Sequence, residues 1–326
     1  MKNLHLYLGL FSSLVLIILI SLNLGAVDAN YFDFFSSGFE RNVLINIRLP
    51  RIILGLIVGL SLSSCGAAMQ GLFRNPLADP GLMGISSGAA FLVAVVIVLF
   101  SHLLDGFLGL YILSIAAFSG AILSAFIITQ IAKRHNKISI VYVLLCGIAI
   151  NAISGALIGL LTFFSSDDQL RTLTLWTMGS LSGAQWPMVV VSTSLILPCL
   201  TVLIRCSAGL NIVALGEESA VAAGLNYEKL KRRIIISVSI AIGAAVAVSG
   251  FIGFIGLVIP HLLRQLIGSD HRKLIPCSAL AGAVLLIISD LFARTVIAPA
   301  EMPVGLITAT IGGPIFLFIL IKEFRR

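Results

Sequence analysis

The chain has 326 residues, 59% of them apolar and only 11% charged, with a mean hydropathy of +1.11. That much apolar surface exceeds what one soluble core can hide, and it excludes disordered, collagen-like and disulfide-framework chains. The net charge of +7 would suit nucleic acid, but in a membrane chain it more often reflects basic loops facing anionic lipid.

Apolar stretches run in order over Leu4–Leu24, Ile52–Leu72, Ser87–Leu104, Phe107–Ala132, Ile138–Phe164, Met188–Ile204, Ile234–Phe254, Ile255–Ile267, Leu274–Ala293 and Val304–Ile321. They are near-continuous rather than alternating, so they read as helices and not as barrel strands, and most approach the roughly 20 residues that cross a bilayer. The expectation is an all-α integral membrane protein of about ten transmembrane helices forming one polytopic domain over residues 1–326. The eighth stretch is short and closely follows the seventh, so nine spans with a re-entrant piece is the competing count. The first is longer than the apolar core of a signal peptide, and only Val27 and Ala29 offer a small-residue cleavage pattern after it, so it reads as an anchor.

With the N-terminus in the cytoplasm and ten alternating crossings, sixteen basic residues fall inside, including Arg74, Lys133, Arg205, Lys229 and Arg264. Five fall outside: Arg41, Arg48, Arg51, Arg171 and Arg294. This positive-inside bias puts both termini in the cytoplasm and assigns the basic total to topology rather than to nucleic acid.

The five cysteines, Cys65, Cys146, Cys199, Cys206 and Cys277, lack any C-x-x-C spacing and read as small core hydrophobes. Thirty glycines concentrate in the spans, where small residues let helices approach closely. Two segments, Ser63–Gly88 and Val248–Gly268, share a faint pattern of glycine-rich helix end, proline and further apolar stretch, and the helices entering them run in opposite directions, as an inverted repeat requires. No catalytic signature is present: none of the seven lysines follows a glycine, which excludes the phosphate-cradling P-loop, and the five histidines lack metal-site spacing. If the chain pumps, another chain supplies the ATPase.

Three polar islands interrupt the apolar pattern. Arg74–Gly81, with two prolines and Asp79, reads as a rigid cytoplasmic joint. The loop 207–231 has apolar residues at helical spacing (Leu210, Val213, Ala214, Val221), which suits one or two short surface helices in need of a partner. Arg48, Arg51 and Arg294 lie on the side where basic residues are rare. They serve either in snorkelling and local pairing, as between Arg294 and Asp290 four residues earlier, or as forks for carboxylates on a docking protein.

Six blocks carry a resemblance: Ile47–Arg51, Gly66–Gly81, Ala214–Glu217, the run from Gly250 through Pro260 to His261, Ser269–Arg272 and Glu301–Gly305. In this order, from about Ile45 to the C-terminus, they resemble the permease subunits of type II ABC importers for iron chelates, haem and cobalamin. The resemblance implies that permease fold in a bacterial inner membrane, no enzyme activity or cofactor in this chain, and ATP and magnesium bound by a partner. It implies assembly with a second copy, two cytoplasmic ATPase subunits and a periplasmic binding protein. It assigns ATPase coupling to Ala214, Leu215, Gly216, Glu217, Ser219, Ala220 and Leu225, and binding-protein docking to Arg48, Arg51 and Arg294.

Cys146–Leu157 and Asp167–Leu181 look most like haem permeases, whereas Lys137-Ile138-Ser139 departs from the cobalamin pattern. Haem is therefore the expected cargo, ahead of ferric siderophores and cobalamin, with Ser139, Asn151, Ser154 and Gly155 lining its pathway. The rival of another class is an ion-coupled carrier, which needs an ionisable group near the bilayer midplane; Asp290, the deepest acid, reads as lying near the outer end.

Overall fold

The computed structural model describes residues 2–25, 27, 32–33, 38–104, 109–134 and 137–324. Thirteen helices are formed among them: α1 (Lys2–Asn23), α2 (Phe39–Val43), α3 (Leu49–Phe73), α4 (Ile85–Leu99), α5 (Gly109–Ile131), α6 (Ile140–Phe163), α7 (Asp167–Thr177), α8 (Trp186–Val213), α9 (Glu217–Ala222), α10 (Tyr227–Ser249), α11 (Ile255–Ile267), α12 (His271–Thr295) and α13 (Val304–Phe324). A π-helical turn, Leu44–Arg48, carries α2 into α3, and a short hairpin pairing Lys133 with Ile138 and Arg134 with Lys137 joins α5 to α6. Seven helices are long and apolar enough to cross a membrane, and α4, α11 and α13 are shorter apolar ones. Together they correspond to the ten apolar stretches of the sequence, and the protein is a multi-pass membrane protein.

Helix α3 forms the centre of the bundle. In its most apolar window 83% of residues are buried, and it packs on α8, α10, α11 and α12. Lipid gives no hydrophobic drive for helices to associate, so close approach depends on small side chains. A Cβ on Gly66 would stand 1.8 Å from the Gly256 carbonyl oxygen, and one on Gly59 would stand 2.6 Å from that of Gly282. The backbones of α11 and α12 thus rest directly on α3, and the two segments of repeat-like pattern lie against each other.

Several helix limits differ from the sequence expectation. Helix α8 runs to Val213, so residues 207–213 of the expected loop are helical; Ser207 satisfies its hydroxyl by donating to the Ile204 carbonyl at 2.6 Å, and Asn211 faces Asp270. Helix α10 starts at Tyr227, several residues before the apolar run, because Asn226 caps it by accepting from the Lys229 amide. Only 214–226 lie between the two. The loop after α6 forms α7, started by a reciprocal cap in which Ser166 and Gln169 each bond the other's backbone.

Candidate functional site

Three groups of residues emerge at different levels of the bundle. At the end where α3 begins and α12 finishes, Arg51 donates through Nε and one terminal nitrogen to Asp290 at 2.9–3.0 Å, and through the other to both oxygens of Glu301 at 2.9 Å. Arg294 Nε lies 3.8 Å from Asp290 and its terminal nitrogen donates to the backbone and hydroxyl of Ser21 on α1. Arg48 donates to the carbonyls of Leu22 and Val27. Relative exposures of 4% for Arg48 and 6% for Arg51 and Arg294 decide how these side chains are used. They do not stand as open forks: their donors turn inward, tying α1, α3 and α12 together. Local pairing, the plainer of the two sequence readings, describes this geometry. The Glu301 carboxylate, at 40% side-chain exposure, is the open rim of the cluster.

At the opposite end, α8 stops at Ala214 and the chain turns through Gly216, whose φ of +112° is a left-handed conformation that suits glycine. Helix α9 follows. Ala220 is fully buried beneath it, and Gly224 and Leu225 close it by donating to Val221 and Ala220. Leu215 at 75% and Val221 at 62% exposure, with Glu217, Glu218 and Ser219, form an outward surface that nothing among the described residues covers. Leu225 is half-buried at its edge.

Helix α9 is joined to the hairpin before α6 by a chain of contacts. Glu217 accepts from the Tyr227 hydroxyl at 2.9 Å, and Lys231 Nζ sits 4.4 Å over the Tyr227 ring. Lys231 pairs with Glu228 at 2.6 Å and donates to the Ile138 carbonyl at 2.6 Å, while the Ile138 amide donates to Glu228 at 3.0 Å. Ser139, Glu217, Glu228 and Lys231 line one cavity of about 500 Å³. Tyr227, Glu228 and Lys231 were not singled out from sequence. The i, i+3 spacing of Glu228 and Lys231 was the available signal, hidden in a run of basic residues.

The third group is on α6, where only 17% of the apolar window is buried, in contrast to α3. The four expected pathway residues divide here. Asn151 donates to the Gly81 carbonyl at 3.4 Å and accepts from Ser87 on α4, and Ser154 is buried at 5% exposure, so both face the chain's own interior. Gly155 lies on the bare face, with no other atom near its Cβ position, and Ser139 is half-buried at the helix start. Among the described residues no group of histidines, cysteines and acids could hold a metal.

Residues 13–322 match the FecCD transport family. The hemin transport system permease protein HmuU of Yersinia pestis is 48% identical, covering 95% of this chain and 93% of its own. The vitamin B12 import system permease protein BtuC of Vibrio vulnificus is 42% identical, covering 95% and 92%. A solved structure assigned to the metal-chelate type of ABC transporter, in an inward-facing conformation, superposes with a TM-score of 0.85 at 31% identity, covering 97% of this chain and 98% of that one.

Proposed function

Because the chain belongs to the FecCD transport family, we propose that it is the permease subunit through which an ABC importer moves haem into the cytoplasm. The observation that carries the cargo is the 48% identity to a hemin permease over nearly the whole chain, supported by the likeness of 146–157 and 167–181 to haem permeases. Cobalamin, supported by the 42% identity to a vitamin B12 permease, is the second reading. An ion-coupled carrier is disfavoured, since the buried Asp290 carboxylate is committed to Arg51.

Two copies would face each other across α6, with Gly155 and the small residues near it forming a wall without strong polar groups, past which a bulky amphiphile slides. Asn151 and Ser154 would set the position of that wall by holding α6 on α4. Leu215, Glu217, Ser219 and Val221 would enter an ATPase subunit, with Ala214, Gly216, Ala220 and Leu225 fixing the shape of α9. Movement of α9 would reach Ser139 through Tyr227, Lys231 and Glu228.

Docking of a periplasmic binding protein would use the arginine cluster differently from the sequence expectation. Arg51 faces both Asp290 and Glu301, and a carboxylate on the binding protein would take the place of the half-exposed Glu301 on Arg51. The basic ends of the helices favour the cytoplasm for both termini. The decisive experiment is uptake of haem and of cyanocobalamin by vesicles holding the reconstituted importer. Haem uptake that requires ATP and this chain supports the assignment; ATP-driven cobalamin uptake without haem uptake overturns the cargo while sparing the subunit's role.

A further inference from the structure

We propose that the basic end of α10 binds the headgroup of an anionic phospholipid, seated in two grooves that flank this helix. One groove, of about 670 Å³, lies between α5 and α10 beside the hairpin; the other, of about 550 Å³, lies between α8 and α10. Lys229, Arg232 and Ile236 line both, and Arg205 and Arg233 line the second.

The charges there have a use to be found. Four of the first seven residues of α10 are cations, placed where the positive end of the helix dipole repels them. Lys231 is accounted for by Glu228 and the Ile138 carbonyl. Lys229, Arg232, Arg233 and Arg205 are exposed and make no ion pair with any carboxylate among the described residues. Glu228, the one acid lining the first groove, is committed to Lys231 and to the Ile138 amide.

The walls select the class of anion. Phe126 on α5 and Ile236 on α10 are 58% and 47% exposed, and Ile122, Ile240 and Val202 continue the apolar lining along the spans. A cationic rim at the end of membrane-spanning helices, continuous with apolar grooves, fits a ligand with a phosphate head and acyl tails rather than a soluble anion. The topology proposed above places this lipid in the inner leaflet; the binding itself does not depend on the cargo.

The test uses the full chain purified in mild detergent, given phosphatidylglycerol or phosphatidylcholine with identical acyl chains, with bound lipid counted by native mass spectrometry. Phosphatidylglycerol should be retained about ten-fold more strongly. The triple variant Arg205→Gln/Arg232→Gln/Arg233→Gln should lose that preference, and lysine at the same positions should keep it. Ile236→Trp, which fills both grooves without changing charge, should also lose it, whereas Arg272→Gln/Lys273→Gln, at positions that line neither groove, should not. Equal retention of the two lipids, or an unaltered preference in both the triple and the Ile236 variants, overturns the proposal. So does release of the lipid by millimolar inorganic phosphate, which marks a soluble-anion site. Retained lipid with loss of a copurifying cytoplasmic protein marks a protein contact and overturns it equally.

Discussion

Gly66 leaves so little room beneath α11 that even a methyl group must displace backbone, because the nearest atom is a carbonyl oxygen and not the tip of a flexible side chain. Gly66→Ala should therefore destabilise the chain by about 1–3 kcal/mol, the usual cost of overpacking. Gly155→Ala, with nothing near the added methyl, should leave stability unchanged; thermal unfolding of the two variants in one detergent makes the comparison. Asp270, the N-cap of α12, gives a pH-dependent counterpart. The Asn211 amide, and then the Arg272 amide, hold its carboxyl below the usual range. A depressed folded pKa stabilises above the unfolded value, near 4, and that contribution is lost as pH falls through the lower folded value. The stability gap between wild type and Asp270→Asn should thus be constant from pH 7 to about 5 and close below about 4; a gap that widens in acid would contradict this.

At the scale of elements, α9 has six residues and is too short to be stable alone, so its geometry depends on buried Ala220 and on the Tyr227 bond to Glu217. Leu215→Asp should abolish transport while the chain folds normally, because the change falls on an exposed surface. In reconstituted complexes it should leave ATP hydrolysis running without uptake; full uptake would reduce α9 to a connector. Lys231→Met acts on the other side of the same linkage, freeing Glu228 and the Ile138 carbonyl. It should loosen the hairpin before α6, read as faster hydrogen exchange at Lys137 and Ile138, with the α9 surface intact.

The near-continuous apolar runs make the ten apolar helices, seven long and three shorter, legible in sequence, since a helix satisfies its own backbone within the bilayer. The helix ends were less legible. Ser207 and Asn211 look like loop residues until one sees the hydroxyl bonded back to its own helix and the amide bridging to α12. The contacts between Arg51 and its two acids span 239 and 250 residues, a pairing that one sequence cannot disclose, so exposed forks and buried pairs looked equivalent.

For the whole molecule, burial of the arginines changes which substitution informs on docking. Reversing Arg51 would leave Asp290 buried without its partner, which typically costs about 3–5 kcal/mol, and lost docking would then be indistinguishable from lost structure. Glu301→Gln is the cleaner change: it keeps the shape, removes the exposed competitor and should tighten binding of the periplasmic protein, with a steeper salt dependence. Unchanged affinity at low salt would separate the cluster from docking.

The bare face of α6 also has a genetic meaning. If each chain supplies only half of the conduit wall, chains made in one cell are shared among pairs, and a damaged copy enters assemblies that sound copies would otherwise have completed. With equal expression of wild type and Leu215→Asp, random pairing leaves about a quarter of the symmetric dimers free of the lesion. Uptake by such cells should fall well below one half, so that a change silent in the fold of its own chain becomes dominant in the cell.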